Sequence, residues 1–395
     1  MKKNIAVFFG GRSAEHDVSI ITAHTPIIES LLAARQYEVW PVYIGKDGSW
    51  YSDQRMNDLA YFKRDGWESD LAHHKKVQIL FDDGLTLIWS GFMPKTVKID
   101  IAFPAMHGTY GEDGSLMGLL RMANVPFVGC DLFASAVAMD KVLTKQVLAA
   151  EGIPVVPYVW FTKHDWEKEK SAWKEKVAKL AWPMFVKPVH LGSSIAIAKV
   201  ATEAELKNAI EVAFHYDDKV LVEESVENLI EVTLPIIGND EPQLAAIEKP
   251  KSKTGFFDYT EKYLSGGKKG GGGVNNEYSE IPAHLDETIA EHVRDLGKRT
   301  YLVLGCSGIA RVDFLIEGTT RKVYVNEVNT LPGSLYIHNW KKVGISGVEL
   351  VTKLVALAEE RFNAHKGTTY TFNSDILKKA GGEKRILGAS QDRMR

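Results

Sequence analysis

Residues 305–333 read GCSGIARVDFLIEGTTRKVYVNEVNTLPG. Two short runs rich in apolar residues, 309–315 and 322–328, lie within this stretch, and a segment containing Gly-Thr-Thr separates them. Short apolar runs bounded by turn-forming residues are typical of strands. The stretch therefore predicts two neighbouring strands in the last third of the chain.

Four polar residues interrupt the apolar pattern of these strands. Successive side chains of a strand point to opposite faces, so Arg311 shares a face with Asp313, and Glu327 shares a face with Asn329. Carboxylate and amide oxygens that converge from adjacent strands suit Mg²⁺ bound to phosphates, and an arginine beside them can stabilise an oxyanion. The alternative is a surface ladder of charge pairs, but the apolar residues on the opposite faces favour a site.

A lysine stands inside another apolar strand, Phe185-Val186-Lys187-Pro188. Burying a lysine is costly unless it meets a charge, and a phosphate is a natural partner. The loop that follows, 191–194, ends in Gly-Ser-Ser, whose N–H and hydroxyl groups can cover phosphates. Lys141 and Lys262 are further candidate phosphate ligands, although each alone is more often a solvated lysine.

The N-terminal part reads as a parallel α/β layer. Strands are predicted at 5–9, 37–44 and 99–105, with a helix from about residue 16 after the first of them. In such layers ligands bind at the carboxyl ends of the strands. Glu15 and His107 follow two of these ends, and we interpret Glu15 as functional.

Further along the chain, the patterns predict helices over 134–150, 163–180, 285–296 and 348–362, and a hairpin that pairs 184–186 with 195–197. Residues 265–273 contain six glycines, which predicts a mobile lid. The tail, 366–395, is polar and without periodicity, and we expect it to be disordered.

Composition excludes several classes of protein. The chain has 395 residues and a formal net charge of −3, and nucleic-acid binders usually carry a strongly basic face. No apolar run approaches the ~20 residues that span a bilayer. The two cysteines, Cys130 and Cys306, do not indicate a disulfide framework. We therefore expect a cytoplasmic protein with neither a nucleic-acid nor a membrane partner.

The common nucleotide-binding motifs are missing from the sequence, which has no G-x-x-x-x-G-K-[ST] loop and no G-x-G-x-x-G after its first strand. Seven other motifs occur in an order that resembles the D-alanine–D-alanine ligases of the ATP-grasp superfamily. They are GGRSAEHDVS, MHGTYGEDGS, AMDKVLTK, FVKPVHLGSS, FFDYTEKY, GCSGIARVDF and VNEVNTLPG.

The resemblance implies a mixed α/β and α+β fold. A Rossmann-like N-terminal substrate domain (1–130) would precede a two-domain ATP-grasp fold, with a central subdomain (131–222) and a C-terminal catalytic domain (223–365). The implied reaction is the ATP-dependent ligation of two D-alanines through an acyl phosphate, for peptidoglycan precursor synthesis. It would use two Mg²⁺ ions, for which Mn²⁺ can substitute, and the family is commonly dimeric.

The resemblance also assigns roles to individual residues. Those in catalysis would be Glu15, Ser193, Tyr263, Arg311 and the N–H of Gly333. Those that bind ATP would be Lys141, Lys187, Ser194, Glu223 or Glu224 at the adenine hinge, Glu231 at the ribose, and Lys262. Those near the second substrate would be His107, Ser334 and Leu335, and the metal ligands would be Asp313, Glu327 and Asn329.

The sequence departs from the family pattern at three places. Ile230 stands where an arginine is usual, in a segment one residue longer than common. Ala196 replaces a glycine after the serine loop. The stretch after Gly333 is a few residues shorter than usual, so Ser334 and Leu335 follow at once, and the acceptor pocket must differ.

Two other functions remain open at this stage. One is an ATP-grasp ligase with a different acceptor, such as D-serine, D-lactate or another amino acid. Tyr263, at a position where lactate-using ligases carry a histidine-bearing loop, favours dipeptide synthesis. The other is a non-catalytic ATP-binding regulator, which is expected to lose Arg311 or a metal ligand, whereas this chain keeps them all.

Overall fold

The computed structural model describes residues 2–73, 76–91, 94–168, 172–192, 195–251 and 279–380. Its strands, in chain order, are β1 (Lys3–Gly10), β2 (Tyr37–Ile44), β3 (Trp50–Tyr51), β4 (Val77–Phe81), β5 (Leu85–Trp89), β6 (Lys95–Ile99), β7 (Ile101–Pro104), β8 (Tyr158–Thr162), β9 (Met184–Pro188), β10 (Ala198–Val200), β11 (Lys219–Glu224), β12 (Leu229–Gly238), β13 (Gln243–Leu244), β14 (Lys249–Pro250), β15 (Ser279–Glu280), β16 (Gly308–Glu317) and β17 (Val323–Asn329).

Helices connect and cover these strands. The α-helices of the described residues are His16–Thr22, Glu29–Ala33, Ala60–Lys63, Trp67–Ala72, Ser115–Met122, Leu132–Met139, Lys141–Ala150, Lys163–Lys168, Ala172–Val177, Glu203–Ala213, Glu287–Val303, Ile337–Lys342, Gly347–His365 and Ile376–Ala380.

The N-terminal sheet has the strand order β3-β2-β1-β7, and β1 pairs in parallel with both β2 and β7. The predicted parallel layer is thus confirmed. One side of this sheet is covered by the helix Gly347–His365 from the far end of the chain, whose Leu350 and Leu354 are fully buried in the same core as Ile5. Residues near both termini therefore build one core.

The region 52–98, for which the sequence gives mixed signals, forms mainly an antiparallel sheet of order β4-β5-β6. The predicted strand at 99–105 is divided, since β6 joins this small sheet and β7 joins the N-terminal one. Asp100 separates the two strands, and its carboxylate accepts a hydrogen bond from the backbone N–H of Asn4 at 2.8 Å.

A second sheet, of order β10-β9-β11-β8, is antiparallel throughout. The helix Glu203–Ala213 packs its Leu206 and Ile210 against the apolar face of this sheet. The predicted hairpin exists, but its second strand starts at Ala198, three residues later than expected.

One predicted long helix is divided in two. The helix expected over 134–150 is interrupted at Asp140, whose backbone is extended and whose side chain accepts hydrogen bonds from the N–H groups of Val142 and Leu143. Asp140 is thus the N-cap of a new helix. The segment expected as one helix over 163–180 contains the helices Lys163–Lys168 and Ala172–Val177.

The third sheet has the order β13-β12-β16-β17 and is antiparallel. One face packs under the helix Glu287–Val303, where Val312, Phe314 and Val328 are buried. The two strands predicted around 309–328 are confirmed as β16 and β17, and they pair directly with each other. Among the described residues, no helix is long and apolar enough to cross a membrane.

Gly308, the first residue of β16, packs against Gly129 at the end of the N-terminal part. Its φ is +69°, and a Cβ on it would lie 2.9 Å from Gly129 N. Gly305 has a similar φ of +66°, but a Cβ there would meet nothing within 4 Å. Replacing Gly305 would therefore test the cost in stability of a left-handed backbone alone. Replacing Gly308 would add the cost of overlap between Cβ and the backbone of Gly129.

We predict that Gly305→Ala lowers the free energy of unfolding by about 1–2 kcal/mol, the cost of a left-handed conformation for an L-residue. Gly308→Ala is expected to cost clearly more, because backbone atoms of Gly129 would have to move as well. The melting temperatures of the two variants and the wild type, measured by calorimetry, provide the comparison. Equal losses in both variants would contradict the close packing of Gly308 on Gly129.

Candidate active site

The polar residues of β16 and β17 face each other across the strand pair. Arg311 is directly opposite Asn329, and Asp313 is directly opposite Glu327. Residues opposite each other in an antiparallel pair point to the same face. The site face that the sequence predicts is therefore present, and it lies opposite the core.

The row through Asp313 continues across the sheet. Thr233 on β12 is opposite Asp313, and Glu248 forms an antiparallel bridge with Thr233. Glu327, Asp313, Thr233 and Glu248 thus form one row across neighbouring segments. The row holds three carboxylates on the face that points away from the core.

Arg311 is held by Asp313 through two nitrogens. Its Nε donates to Asp313 Oδ1 over 2.7 Å, and its Nη2 donates to Asp313 Oδ2 over 2.5 Å. Its Nη1 donates to the hydroxyl of Tyr336 over 2.9 Å. The guanidinium therefore has a fixed orientation on the site face.

The raised pKa of Asp313 and the oxygen donors around it both suit a divalent cation. Burial raises the pKa of Asp313 above its ordinary value, the facing Glu327 adds to the rise, and Arg311 only partly opposes it. A cation between Asp313 and Glu327 would relieve this repulsion. With the amide of Asn329, the donors are all oxygens, which is the set that Mg²⁺ prefers.

Buried lysines from the second sheet and from a helix beside it contact one glutamate. Lys187 on β9 and Lys145 both form ion pairs with Glu223 on β11, and the distance from Lys145 Nζ to Glu223 Oε2 is 2.9 Å. Burial alone would raise the pKa of Glu223, but the two ammonium groups hold it well below its ordinary value. Lys187 also donates to the side-chain oxygen of Asn326 on β17, over 3.4 Å.

Lys141 differs from these lysines in its partners. Its Nζ donates to the carbonyl oxygens of Leu191, at 2.7 Å, and Val189, at 3.4 Å. Within the described part of the chain no carboxylate forms an ion pair with it. Burial lowers the pKa of Lys141, so an anion beside it would be strongly favoured.

Glu15, which follows the first strand of the N-terminal sheet, lies close to the loop after β9 of the second sheet. A Cβ on Gly108 would lie 2.9 Å from Glu15 Oε2, and a Cβ on Gly192 would lie 3.3 Å from it. Glu15 is 6% exposed. Its carboxylate thus lies between the loop after β7 and the loop after β9, and the absence of side chains on both glycines leaves room for it.

His107 joins this cluster to the loop after β17. Its Nε2 lies 2.8 Å from the hydroxyl of Thr22, and its Nδ1 lies 3.5 Å from Glu112. A Cβ on Gly333 would lie 3.5 Å from His107 Cε1. The predicted oxyanion loop and the predicted amine contact are therefore neighbours, and both line a small cavity with Ser334 and Leu335.

The loop after Gly333 has an unusual backbone. Ser334, Leu335 and Tyr336 have φ values of 52°, 50° and 50°, in the left-handed region that residues with a side chain rarely adopt. Among the described residues, the one hydrogen-bond contact of Ser334 Oγ is long, at 3.4 Å to the carbonyl oxygen of Thr25. Leu335 is 4% exposed and packs into the N-terminal core.

Glu224 and Glu231, two of the predicted ATP-binding residues, form no ion pair with the buried lysines among the described residues. Glu224 follows Glu223 on β11 and therefore points to the opposite face of the sheet. Its carboxylate accepts a hydrogen bond from the N–H of Ala181 at 2.9 Å. Glu231 lies on the same face of β12 as Thr233 and helps to raise the pKa of Lys187. Four predicted site residues fall outside the described residues, as does the predicted lid: Ser193, Ser194, Lys262 and Tyr263.

Sequence reasoning missed several residues of the site. Lys145 could have been found, because it is four residues after Lys141 and such residues share a helix face. Thr233 and Glu248 come together with Asp313 only through long-range strand pairing. Tyr336 reaches Arg311 through an uncommon backbone conformation, and the sequence carries no signal for it.

His190 was also missed, although it directly precedes the predicted phosphate loop, 191–194. Its Nδ1 lies 2.9 Å from Asp217 Oδ1, and its Nε2 lies 3.3 Å from Asp140 Oδ2. Lys219 donates to the same oxygen of Asp140 over 2.7 Å. The hydrogen bonds to Asp140 and Asp217 raise the pKa of His190 to about 9, so the imidazole is charged near neutral pH.

Comparisons with known proteins point to one family. A family model described as the D-ala D-ala ligase N-terminus matches residues 4–130, and one described as the D-ala D-ala ligase C-terminus matches residues 147–356. Proteins named D-alanine--D-alanine ligase from Chloroherpeton thalassium and Thermosipho africanus are each 36% identical to this chain. The alignments cover 92% and 95% of this chain, and 98% of each relative.

Solved structures agree with this result. The D-alanine-D-alanine ligase from Coxiella burnetii has a TM-score of 0.77 and 30% identity, over 92% of this chain and 96% of its own. The VanG D-Ala:D-Ser ligase from Enterococcus faecalis has a TM-score of 0.76 and 34% identity, over 91% of this chain and 100% of its own.

The charge on His190 leads to a pH-dependent prediction. Because the folded-state pKa is about 9 and the ordinary value is about 6.5, its contribution to stability is complete below pH ~6.5. The contribution is lost as the pH rises towards 9. We predict that His190→Gln lowers the melting temperature most at pH 6, and that the difference from wild type shrinks by pH 9.5.

His215→Gln is the matched control, because His215 is exposed and lies near the end of a helix in the same domain. Its melting temperature should follow that of the wild type at every pH. A constant difference between wild type and His190→Gln from pH 6 to pH 9.5 would show that His190 does not carry the charge in the folded protein.

Proposed function

This chain belongs to the D-alanine–D-alanine ligase family, and we propose that it joins two D-alanine molecules at the expense of ATP, giving D-alanyl-D-alanine, ADP and phosphate. It is a ligase with the ATP-grasp fold, and its product would serve peptidoglycan synthesis. One observation carries the proposal: the pairing of Arg311 and Asp313 with Asn329 and Glu327 on the face opposite the core.

ATP would bind between the second and third sheets. Lys141 and Lys187 would hold its phosphates, together with Ser194 and Lys262. The buried Lys141, with carbonyl oxygens as its partners, supports an anion there. Because Glu223 is already bound by two lysines, we propose that it acts at the adenine hinge mainly by holding Lys187 in place. Glu224 would line the hinge and Glu231 would contact the ribose.

Asp313, Glu327 and Asn329 would hold two Mg²⁺ ions, for which Mn²⁺ can substitute. The facing carboxylates of Asp313 and Glu327 support this assignment, since burial and, to a lesser degree, the charge of Glu327 raise the pKa of Asp313. When bound, the metal would neutralise charge on the phosphates. The protein's part is to fix these three oxygen donors on one face of β16 and β17.

The first D-alanine would bind through its ammonium group to Glu15. Glu15 is almost fully buried at the N-terminus of the helix His16–Thr22, and the lack of side chains on the glycines beside it makes room for its carboxylate. Ser193 and Tyr263 would complete a hydrogen-bonded trio with it. This arrangement would leave the carboxylate of the substrate free to react.

The reaction would proceed in two steps. First, a carboxylate oxygen of the bound D-alanine attacks the γ-phosphorus of ATP, and ADP leaves. The amine of the second D-alanine then attacks the carbonyl carbon of the acyl phosphate, and phosphate leaves from the tetrahedral intermediate. Arg311 and the N–H of Gly333 would stabilise the oxyanion of that intermediate, and His107 would lie near the amine.

The second substrate would bind at the loop after Gly333. Ser334 and Leu335 would meet its carboxylate and methyl group, in a loop shorter than is usual in the family. The long contact of Ser334 Oγ supports a hydroxyl available for a ligand. D-serine is the second candidate acceptor, favoured by the similarity to a D-Ala:D-Ser ligase and by the changed loop.

We also propose a domain organisation and an oligomeric state. We assign the N-terminal substrate domain to 1–130, the central ATP-grasp subdomain to 131–222 and the catalytic domain to 223–365. The last strand of the second sheet ends at Glu224, which supports a border near this point. A cytoplasmic homodimer is the proposed working form.

The proposal is tested by incubating the protein with ATP, Mg²⁺ and a panel of D- and L-amino acids and D-lactate. Mass spectrometry of the products should find D-alanyl-D-alanine, with ADP formed in equal amount. Glu327→Gln should abolish turnover, because a metal ligand loses its charge, while the melting temperature stays near that of the wild type.

The matched control is Glu291→Gln, which changes an exposed glutamate on the helix Glu287–Val303 and should leave turnover unchanged. D-alanyl-D-serine or D-alanyl-D-lactate as the main product in a mixed-substrate assay would reject D-alanine as the acceptor. Full activity of Glu327→Gln at ordinary Mg²⁺ would reject the metal site.

A further inference from the structure

Tyr336 contacts Arg311 in two ways. Its hydroxyl accepts a hydrogen bond from Arg311 Nη1 over 2.9 Å, and the guanidinium carbon lies 5.0 Å from the centre of its ring. Tyr336 occupies the third left-handed position of the short loop after Gly333. The loop geometry thus places its side chain against the arginine of the site.

Counting the donors of Arg311 shows what this contact does. A guanidinium has five N–H groups. Asp313 takes one from Nε and one from Nη2, and Tyr336 takes one from Nη1. Two N–H groups remain without a partner among the described residues, one on each terminal nitrogen, and Asp313 and Tyr336 together fix their direction.

A contact between His338 and Glu248 holds Tyr336 from its other side. The ring of His338 lies 5.3 Å from the ring of Tyr336 at an interplanar angle of 40°. His338 Nε2 lies 2.9 Å from Glu248 Oε2, and Glu248 belongs to the carboxylate row through Thr233 and Asp313. Tyr336 is therefore clamped between this pair and Arg311.

We propose that Tyr336 is a positioning residue, which aims the two remaining N–H groups of Arg311 at the oxyanion formed when the acceptor amine attacks. This inference rests on the proposed function, because it takes the role of Arg311 from it. The pair of His338 and Glu248 supports Tyr336 from behind. Neither the family pattern nor the sequence assigns a role to any of these three residues.

The two steps of the reaction depend differently on this oxyanion. In the first step the γ-phosphoryl group moves to a carboxylate oxygen, and no tetrahedral carbon forms. In the second step the amine nitrogen bonds to the carbonyl carbon, and the C=O electron pair moves to oxygen. When this pair returns, the C–O bond to phosphate breaks, and the proton lost by the amine leaves as part of hydrogen phosphate. Tyr336 should therefore matter for the second step alone.

Tyr336→Phe keeps the ring and removes the hydroxyl that holds Arg311. We expect kcat for dipeptide formation to fall about 10-fold, less than the ~100-fold or more that loss of an oxyanion donor itself costs. The KM for ATP should be unchanged. The matched control is Tyr216→Phe, since Tyr216 is 58% exposed and lies near the end of the helix Glu203–Ala213.

Oxygen exchange within ATP separates the two steps. With ¹⁸O in the β,γ-bridge, reversible formation of the acyl phosphate moves the label to a non-bridging β-position. Because Tyr336→Phe slows only the amine attack, the ratio of label movement to net ADP formation should rise about as much as kcat falls. A general loss of structure would lower both rates together and leave the ratio unchanged.

His338→Gln provides a second variant. Glutamine can still donate to Glu248, but it lacks the ring that packs on Tyr336, so the ratio should rise by a few-fold. An unchanged ratio in Tyr336→Phe, alongside an active wild type, would overturn the positioning role and leave the proposed function intact. If the wild type shows no D-alanine-dependent label movement or ADP formation, the proposed function and this inference both fail.

Discussion

The antiparallel register between β16 and β17 is the constraint on which the site depends. Side chains alternate along a strand, so a slip of one residue would turn Arg311 and Asp313 into the core. The core prevents this, because Val312 and Phe314 are buried beneath the helix Glu287–Val303. A bulge after Asp313 leaves Asn326 as an extra residue, and its side chain reaches Lys187 of the second sheet. The pair of β16 and β17 therefore fixes the positions of the candidate metal ligands in the third sheet and also connects this sheet to the second sheet.

Charge is unevenly divided across the space between these sheets. On the side of the second sheet, three buried lysines accompany one buried glutamate, and on the other side two carboxylates accompany Arg311. Like charges that are buried together repel each other and are costly unless they are paired. The excess of lysines on one side and the excess of carboxylates on the other therefore each favour a bound group of opposite charge. A polyanion that carries divalent cations complements both sides. This complementarity is the physical reason that ATP with Mg²⁺ suits the site better than either alone.

Much of this arrangement can be predicted from local patterns. The strand pair at 309–328 follows from short apolar runs, and the facing of Asp313 and Glu327 follows from the period of two. Lys187 is conspicuous because it interrupts an apolar strand. The partners of these residues could not be predicted in the same way. Glu248 joins the row of Asp313 only through pairing of segments distant in sequence. The break at Asp140 arises from a capping side chain inside an otherwise helical pattern, and the contact of Tyr336 with Arg311 needs three successive left-handed residues that propensities disfavour.

We propose above all that the polar face of β16 and β17 binds the metal ions that accompany ATP. The most direct measurement is a crystal structure with ADP, Mn²⁺ in place of Mg²⁺ and a phosphinate analogue of the tetrahedral intermediate, using anomalous scattering to locate the metal. We predict two metal peaks at about 2.0–2.2 Å from oxygens of Asp313, Glu327 and Asn329, with Arg311 Nη1 and Nη2 directed at the analogue. Metal bound elsewhere, such as at His190, Asp217 and Asp218, with none on this face of β16 and β17, would contradict the proposal.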